Sequence, residues 1–151
     1  MRERRLPKVL LPLCALCLLL TLATGAAAQK QKTLYERLGG YDAIAAVVDD
    51  FLGRLTSDHQ FERFFAGHSV DSKKHIRQLF IDQLCAATGG PCIYGGRTMK
   101  VSHEGLGITE ADWDASAKHL VATLDKLKVK KREKDEVIAV VNSLKKDIVE
   151  K

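Results

Sequence analysis

The sequence predicts an all-helical domain of about 120 residues, and three observations predict it. Beyond residue 28 the chain has a single proline, Pro91, and few of the alternating apolar–polar runs that mark half-buried strands. Long stretches instead repeat apolar residues at three- and four-residue spacing. Pairs of glycines punctuate them: Gly39-Gly40, Gly89-Gly90 and Gly95-Gly96.

The first 28 residues read differently. Arg2, Arg4, Arg5 and Lys8 precede a leucine-rich apolar run from Val9 to Leu22, and Ala26-Ala27-Ala28 follows. This is the pattern of an export signal with cleavage expected before Gln29. The run is short for a membrane span, which needs roughly 20 residues; an uncleaved anchor is the alternative. The expected organisation is thus a signal peptide over 1–28 and one domain over 29–151, exported to the periplasm or secreted, with no stable membrane insertion after cleavage.

Cleavage removes most of the charge imbalance. Without the four bases and one acid of the leader, the 24 Lys+Arg and 19 Asp+Glu fall to 20 and 18. The basic whole-chain balance therefore gives no support to nucleic-acid binding. Cleavage also removes Cys14 and Cys17, whose C-x-x-C spacing lacks the histidine that covalent c-type haem attachment needs. Cys85 and Cys92 remain. They are either two free thiols or a bridge worth about 2.5 kcal/mol through loop-closure entropy.

Element by element, Thr33–Leu38 reads as a short helix stopped by Gly39-Gly40. Tyr41–Leu55 is a helix with Ile44, Val47, Val48, Phe51, Leu52 and Leu55 on one face. Asp58–Phe65 is a short aromatic segment closed by Gly67. Asp71 or Ser72 caps a helix running to Thr88, with Ile76, Leu79, Phe80, Gln83 and Leu84 on its inner side. Gly89-Gly90-Pro91 ends it, and a glycine-rich loop leads to a brief helix over Thr98–Glu104, closed by Gly105 and Gly107. Thr109 and Asp112 cap a helix through Leu127 that turns Trp113, Ala117, Leu120, Val121 and Leu124 inward. A last helix, Lys131–Val149, carries Val137, Ile138, Val140, Val141, Leu144 and Ile148 under a lysine-rich outer face. A plain bundle has little use for a long flexible segment in its middle; a cofactor pocket does.

The ordered landmarks Thr33-Leu34-Tyr35-Glu36-Arg37-Leu38-Gly39-Gly40, Phe64-Phe65, Gly89-Gly90, and Gly95-Gly96-Arg97-Thr98-Met99-Lys100 followed by His103 resemble those of group I truncated globins. Gly105-Leu106-Gly107-Ile108-Thr109 continues the likeness, which spans residues 33–150. The resemblance implies a 2-on-2 helical sandwich around a non-covalent b-type haem, with His103 as proximal iron ligand. It places Phe51, Leu52, Ile76, Leu79, Phe80, Met99 and Arg97 around the cofactor. Family members often carry a tyrosine directly after the phenylalanine of the second helix; here Leu52 stands there, so that hydroxyl donor is missing and weaker O2 retention is expected.

The distal register stays open. Counting back from Gly89-Gly90 brings Ile76, Leu79 and Phe80 to the iron, whereas counting forward from Phe64-Phe65 brings Lys73, Ile76 and Arg77. His75 is either a sixth iron ligand or a group at the pocket edge near a propionate, for which Arg97, Lys100 and Lys74 are further candidates. His59, His68 and His119 read as solvated, and Trp113 as core or pocket lining. No phosphate loop, nucleophile–base arrangement or paired carboxylate of diagnostic spacing is present. The implied function is binding of O2, NO or CO as a carrier, sensor or NO-detoxifying globin. NO dioxygenation or a peroxidase-like side activity needs an electron donor that the chain does not encode. The alternative is an exported, cofactor-free helical bundle serving as an interaction module.

Overall fold

A computed structural model describes residues 31–151; the expected leader and its cleavage point lie outside the described residues. Thr33 caps α1 (Leu34–Leu38) through a reciprocal box: its hydroxyl accepts from the Glu36 amide at 3.1 Å, and the Glu36 carboxylate accepts from the Thr33 amide at 2.8 Å. α2 (Tyr41–Ser57) follows directly, and a 3-10 turn (His59–Phe61) leads into the single turn α3 (Glu62–Phe65). α4 covers Val70–Ala87, α5 Met99–His103, α6 Glu110–Lys126 and α7 Lys131–Asn142; a 3-10 turn over Lys145–Asp147 completes the order. Among the described residues there is no strand, and no helix is long and apolar enough to cross a membrane.

α2 is the hub, packing on α4 along one side and on α6 along another, while α7 closes on α1 and α6. Its stripe divides between two cores. Val47 joins Leu34, Leu120, Leu124 and Val137; Ile44 and Val48 join Ile81 and Cys85. The split follows from helix geometry: residues one apart sit about 100° around the axis, so adjacent valines face different neighbours.

Two boundaries and one helix face differ from the sequence reading. Ser69, not Asp71 or Ser72, caps α4; its hydroxyl accepts from the Ser72 amide at 3.1 Å, which leaves Asp71 in the first turn. The last helix stops at Asn142 rather than Val149. Beyond it the bonds tighten to the three-residue pattern, Leu144 N to Val141 O and Asp147 N to Leu144 O, and the chain turns to reach Ile108. The largest difference lies on α4. Its fully buried residues are Ile81 and Cys85, whereas Ile76 and Leu79 are half-buried and Phe80 is 37% exposed. Only Leu84 of the periodic apolar face packs on the cores; Ile76, Leu79 and Phe80 are left partly open.

Two long-range ties fix the frame. Buried Asp112 accepts from Thr109, from Gln60 Nε2 at 2.9 Å and from Arg63 Nη2 at 2.7 Å, joining the start of α6 to α3. Burial by itself would raise its pKa, but these donors hold the carboxyl below the usual range. Arg37 on α1 pairs with Glu133 and Glu136 on α7.

Candidate haem pocket

The histidine-bearing segment is tethered at its ends and rests on the 3-10 turn of Lys145–Asp147. A disulfide joins Cys85, buried in α4, to Cys92, with Cα atoms 5.8 Å apart. Between them the backbone passes so close to α1 that a Cβ on Gly90 would lie 2.6 Å from the Tyr35 ring and 2.8 Å from the Cys85 carbonyl; only glycine fits. The loop continues through Tyr94, whose hydroxyl donates to the Arg97 carbonyl at 2.7 Å. Thr98 then caps α5, a helix with no buried residue.

At the end of that helix His103 is half-buried, and its Nδ1 lies 2.7 Å from the Met99 carbonyl oxygen. A carbonyl only accepts, so Nδ1 donates, and Nε2 is the nitrogen that bond leaves uncommitted. A metal ligand of the globin kind requires that arrangement, and a hydrogen bond of this kind orients the ring.

Across the molecule, a cleft of α2 and α4 is lined by Leu52, Phe65, Val70, Lys73, Ile76 and Arg77. The forward count from Phe64-Phe65 therefore names the α4 residues found here. Leu79 and Phe80 are not among them; Phe80 instead meets Phe51, with ring centroids 6.4 Å apart. His75 is exposed and does not line the cleft, although Lys74 and Ile76 do. Arg77 is paired with Asp49 (Nη2–Oδ2 2.8 Å), and that guanidinium holds the Asp49 carboxyl below its usual range. Met99 is joined to His103 as described, and Arg97 is exposed. Phe65, Val70 and Asp49 were missed as lining residues. The Phe64-Phe65 landmark was the available signal.

Among the other histidines, His59 and His68 are exposed, as the sequence suggests. His119 differs: it is half-buried, its Nε2 lies 2.7 Å from Asp58 Oδ2, and its ring meets the edge of Phe61. It ties α6 to the turn after α2. Trp113 is a core residue, 7% exposed.

Four long helices, one of them a central hub, apolar side chains of two helices left half open, and a half-buried histidine on a separate short helix define a class. This is an all-α protein with partly uncovered apolar side chains and an imidazole outside its cores. A family model described as bacterial-like globin matches residues 33–150. A group 1 truncated haemoglobin of Tetrahymena pyriformis is 32% identical over 122 residues, covering 81% of this chain and 98% of that protein. One from Mycolicibacterium paratuberculosis is 32% identical over 116 residues, 77% and 83% of the two chains. The crystal structure of the Tetrahymena protein in its Fe(III) form superposes with a TM-score of 0.72, over 80% of this chain and all of that one. A Synechococcus 2/2 haemoglobin, crystallised in the cyanomet state with covalently attached haem, gives 0.70 at 33% identity over 78% and 98%. The chain belongs to the bacterial-like globins, within the group 1 truncated haemoglobins. The expected 2-on-2 fold is borne out, and haem-based ligand binding is its function.

The residues present fit that cofactor. With His103 Nδ1 engaged by the Met99 carbonyl, its Nε2 would be the nitrogen open to a metal, and the half-open surfaces of Phe51, Leu52, Ile76 and Phe80 would supply the apolar contact a porphyrin requires.

Proposed function

We propose that this chain is an exported globin that holds haem b non-covalently through His103 and binds O2, NO and CO reversibly. The observation that carries the assignment of His103 is its 2.7 Å contact from Nδ1 to the Met99 carbonyl, which frees Nε2 for the iron. When bound, haem supplies an iron centre for diatomic ligands. The chain's own residues set how those ligands are held.

Leu52 presents methyl groups to the α2–α4 cleft, with no hydroxyl to donate. A dipolar ligand such as O2 gains more from a nearby donor than CO does, so O2 is retained weakly here. Phe51, Leu79, Phe80 and Met99 are assigned to apolar contact with the macrocycle, and Arg97 to a propionate. His75, exposed on α4, is assigned to the pocket edge rather than to the iron. Turnover of NO or peroxide would draw electrons from a separate donor protein. In this reading residues 1–28 direct export to the periplasm or medium, and 29–151 are the working domain.

Spectra of the haemin-reconstituted protein test the proposal. The ferric, ferrous and CO-bound forms of the parent and of His75→Ala should agree. His103→Gly should lose tight haem binding and regain it with added imidazole. A His103→Gly protein that keeps haem and the parent spectrum would place the ligand elsewhere. A chain that stays colourless with excess haemin would be a cofactor-free bundle.

A further inference from the structure

No side chain of α5 is fully buried; Met99 and His103 are half-buried and the helix rests on the 3-10 turn of Lys145–Asp147. What grips the segment's ends therefore adds to the Met99 bond in setting the direction of His103. Its leading end is rooted by the Cys85–Cys92 bridge and the Tyr94 hydroxyl. Its trailing end is a turn in which Gly105 and Gly107 take φ of 81° and 64°, the left-handed region where glycine is at ease. Glycines lose more conformational freedom on ordering than other residues, so such a turn needs partners to stay in one shape.

Those partners come from the other end of the domain. The Glu150 carboxylate accepts from the Gly105 amide at 2.6 Å and, through its second oxygen, from the Gly107 amide at 3.1 Å. Glu150 is itself held by its backbone: its amide donates to the Ile108 carbonyl at 2.9 Å, and the Glu110 amide donates to the Lys151 carbonyl at 3.0 Å. Within the turn, the Leu106 amide returns to the His103 carbonyl at 3.1 Å. Hydrogen bonds, joined by the peptide links of the 105–107 turn, thus connect the Glu150 carboxylate to the residue that presents the imidazole.

We infer that Glu150 is a positioning residue for the proximal histidine: it locks the glycine turn after α5 and so sets the direction of the His103 ring. The inference rests on the proposal that His103 ligates the iron. Bonds from amides to a carboxylate are charge-assisted and stronger than neutral ones. Both bonds are exposed and none of their residues belongs to either core, so their loss acts locally.

The test uses the full chain loaded with haemin, as parent, Glu150→Ala, Glu150→Gln and His103→Gly. In Glu150→Ala the iron–histidine stretching band of the ferrous form should shift or broaden. Haem transfer to a scavenging globin should quicken about tenfold, the low end for hydrogen bonds to a charged group because both lost bonds are exposed. Amide exchange at Gly105 and Gly107 should rise while helical content holds. Glu150→Gln, which keeps one carbonyl acceptor, should fall between the two and gives the reading should Glu150→Ala fold poorly. A band and a haem-loss rate matching the parent within about twofold, the scatter of small surface effects, would overturn the role of Glu150. A parent-like band in His103→Gly would instead overturn the ligand assignment, and the positioning role with it.

Discussion

Replacing Asp50 with alanine should cost about 2–3 kcal/mol, most of it through a hydroxyl on a neighbouring helix. Asp50 sits on α2, its side chain only 13% exposed. It accepts from Arg54 Nε at 2.7 Å, from Lys126 and from the Thr123 hydroxyl at 2.9 Å. Thr123 is completely buried on α6. Stripping its acceptor leaves a dry hydroxyl unpaired, a penalty of about 1–3 kcal/mol, at the lower end if the group turns to a carbonyl on its own helix. Lys126 is largely exposed and Arg54 is a same-helix neighbour, so each ion pair adds only about 0.3–1 kcal/mol.

The same cluster makes the cost depend on pH. Lys126 and then Arg54 hold the Asp50 carboxyl far below the usual carboxylate range, against the opposing pull of burial. A depressed folded-state pKa contributes stability above the unfolded value of about 3.9 and loses it as pH falls toward the folded value. The gap between parent and Asp50→Ala should therefore narrow by about 1 kcal/mol between pH 6 and pH 3. Urea unfolding followed by helical circular dichroism, with Thr123→Val and the double variant completing a cycle, measures both effects. A cost under about 0.5 kcal/mol at pH 6, the range of ordinary surface substitutions, or a gap unchanged at pH 3, would show that the Asp50 cluster does not hold α2 to α6.

Two further outcomes follow from the pocket. Leu52→Tyr places a hydroxyl at the cleft and should slow O2 release about tenfold, one hydrogen bond's worth, while CO release stays within a few fold; stopped-flow ligand displacement reads both, and equal O2 rates would remove the proposed reason for weak retention. Cys92→Ser should lower stability by about 2.5 kcal/mol and raise amide exchange over residues 92–98 more than in α6. Unreduced peptide mapping of the parent that finds Cys85 and Cys92 as separate thiols would end that expectation.

Much of the architecture was legible because its signals are local. Thr109 announced its helix through a partner three residues away, and Gly89-Gly90-Pro91 marked the end of α4 because few sequences stop a helix so firmly. The overrun of the last helix to Val149 has the same origin. Its apolar spacing continues past Asn142, and nothing within one turn of Asn142 reveals that the chain bends there to meet Ile108. His103 stood out only through the order of landmarks around it, since one histidine has no periodicity of its own.

The sequence by itself determined the helical class, the order of the elements and the family, all carried by short-range pattern and ordered motifs, and it nominated His103 for the iron. Tertiary structure decided what pattern cannot encode: that the periodic face of α4 is left partly open while Ile81 and Cys85 fill the core, that Cys85 and Cys92 come within bridging distance, and that Glu150 closes on glycines 43 and 45 positions earlier. Periodicity reports that a face is apolar. What covers that face, and which distant group meets which, depends on how helices remote in sequence pack in space.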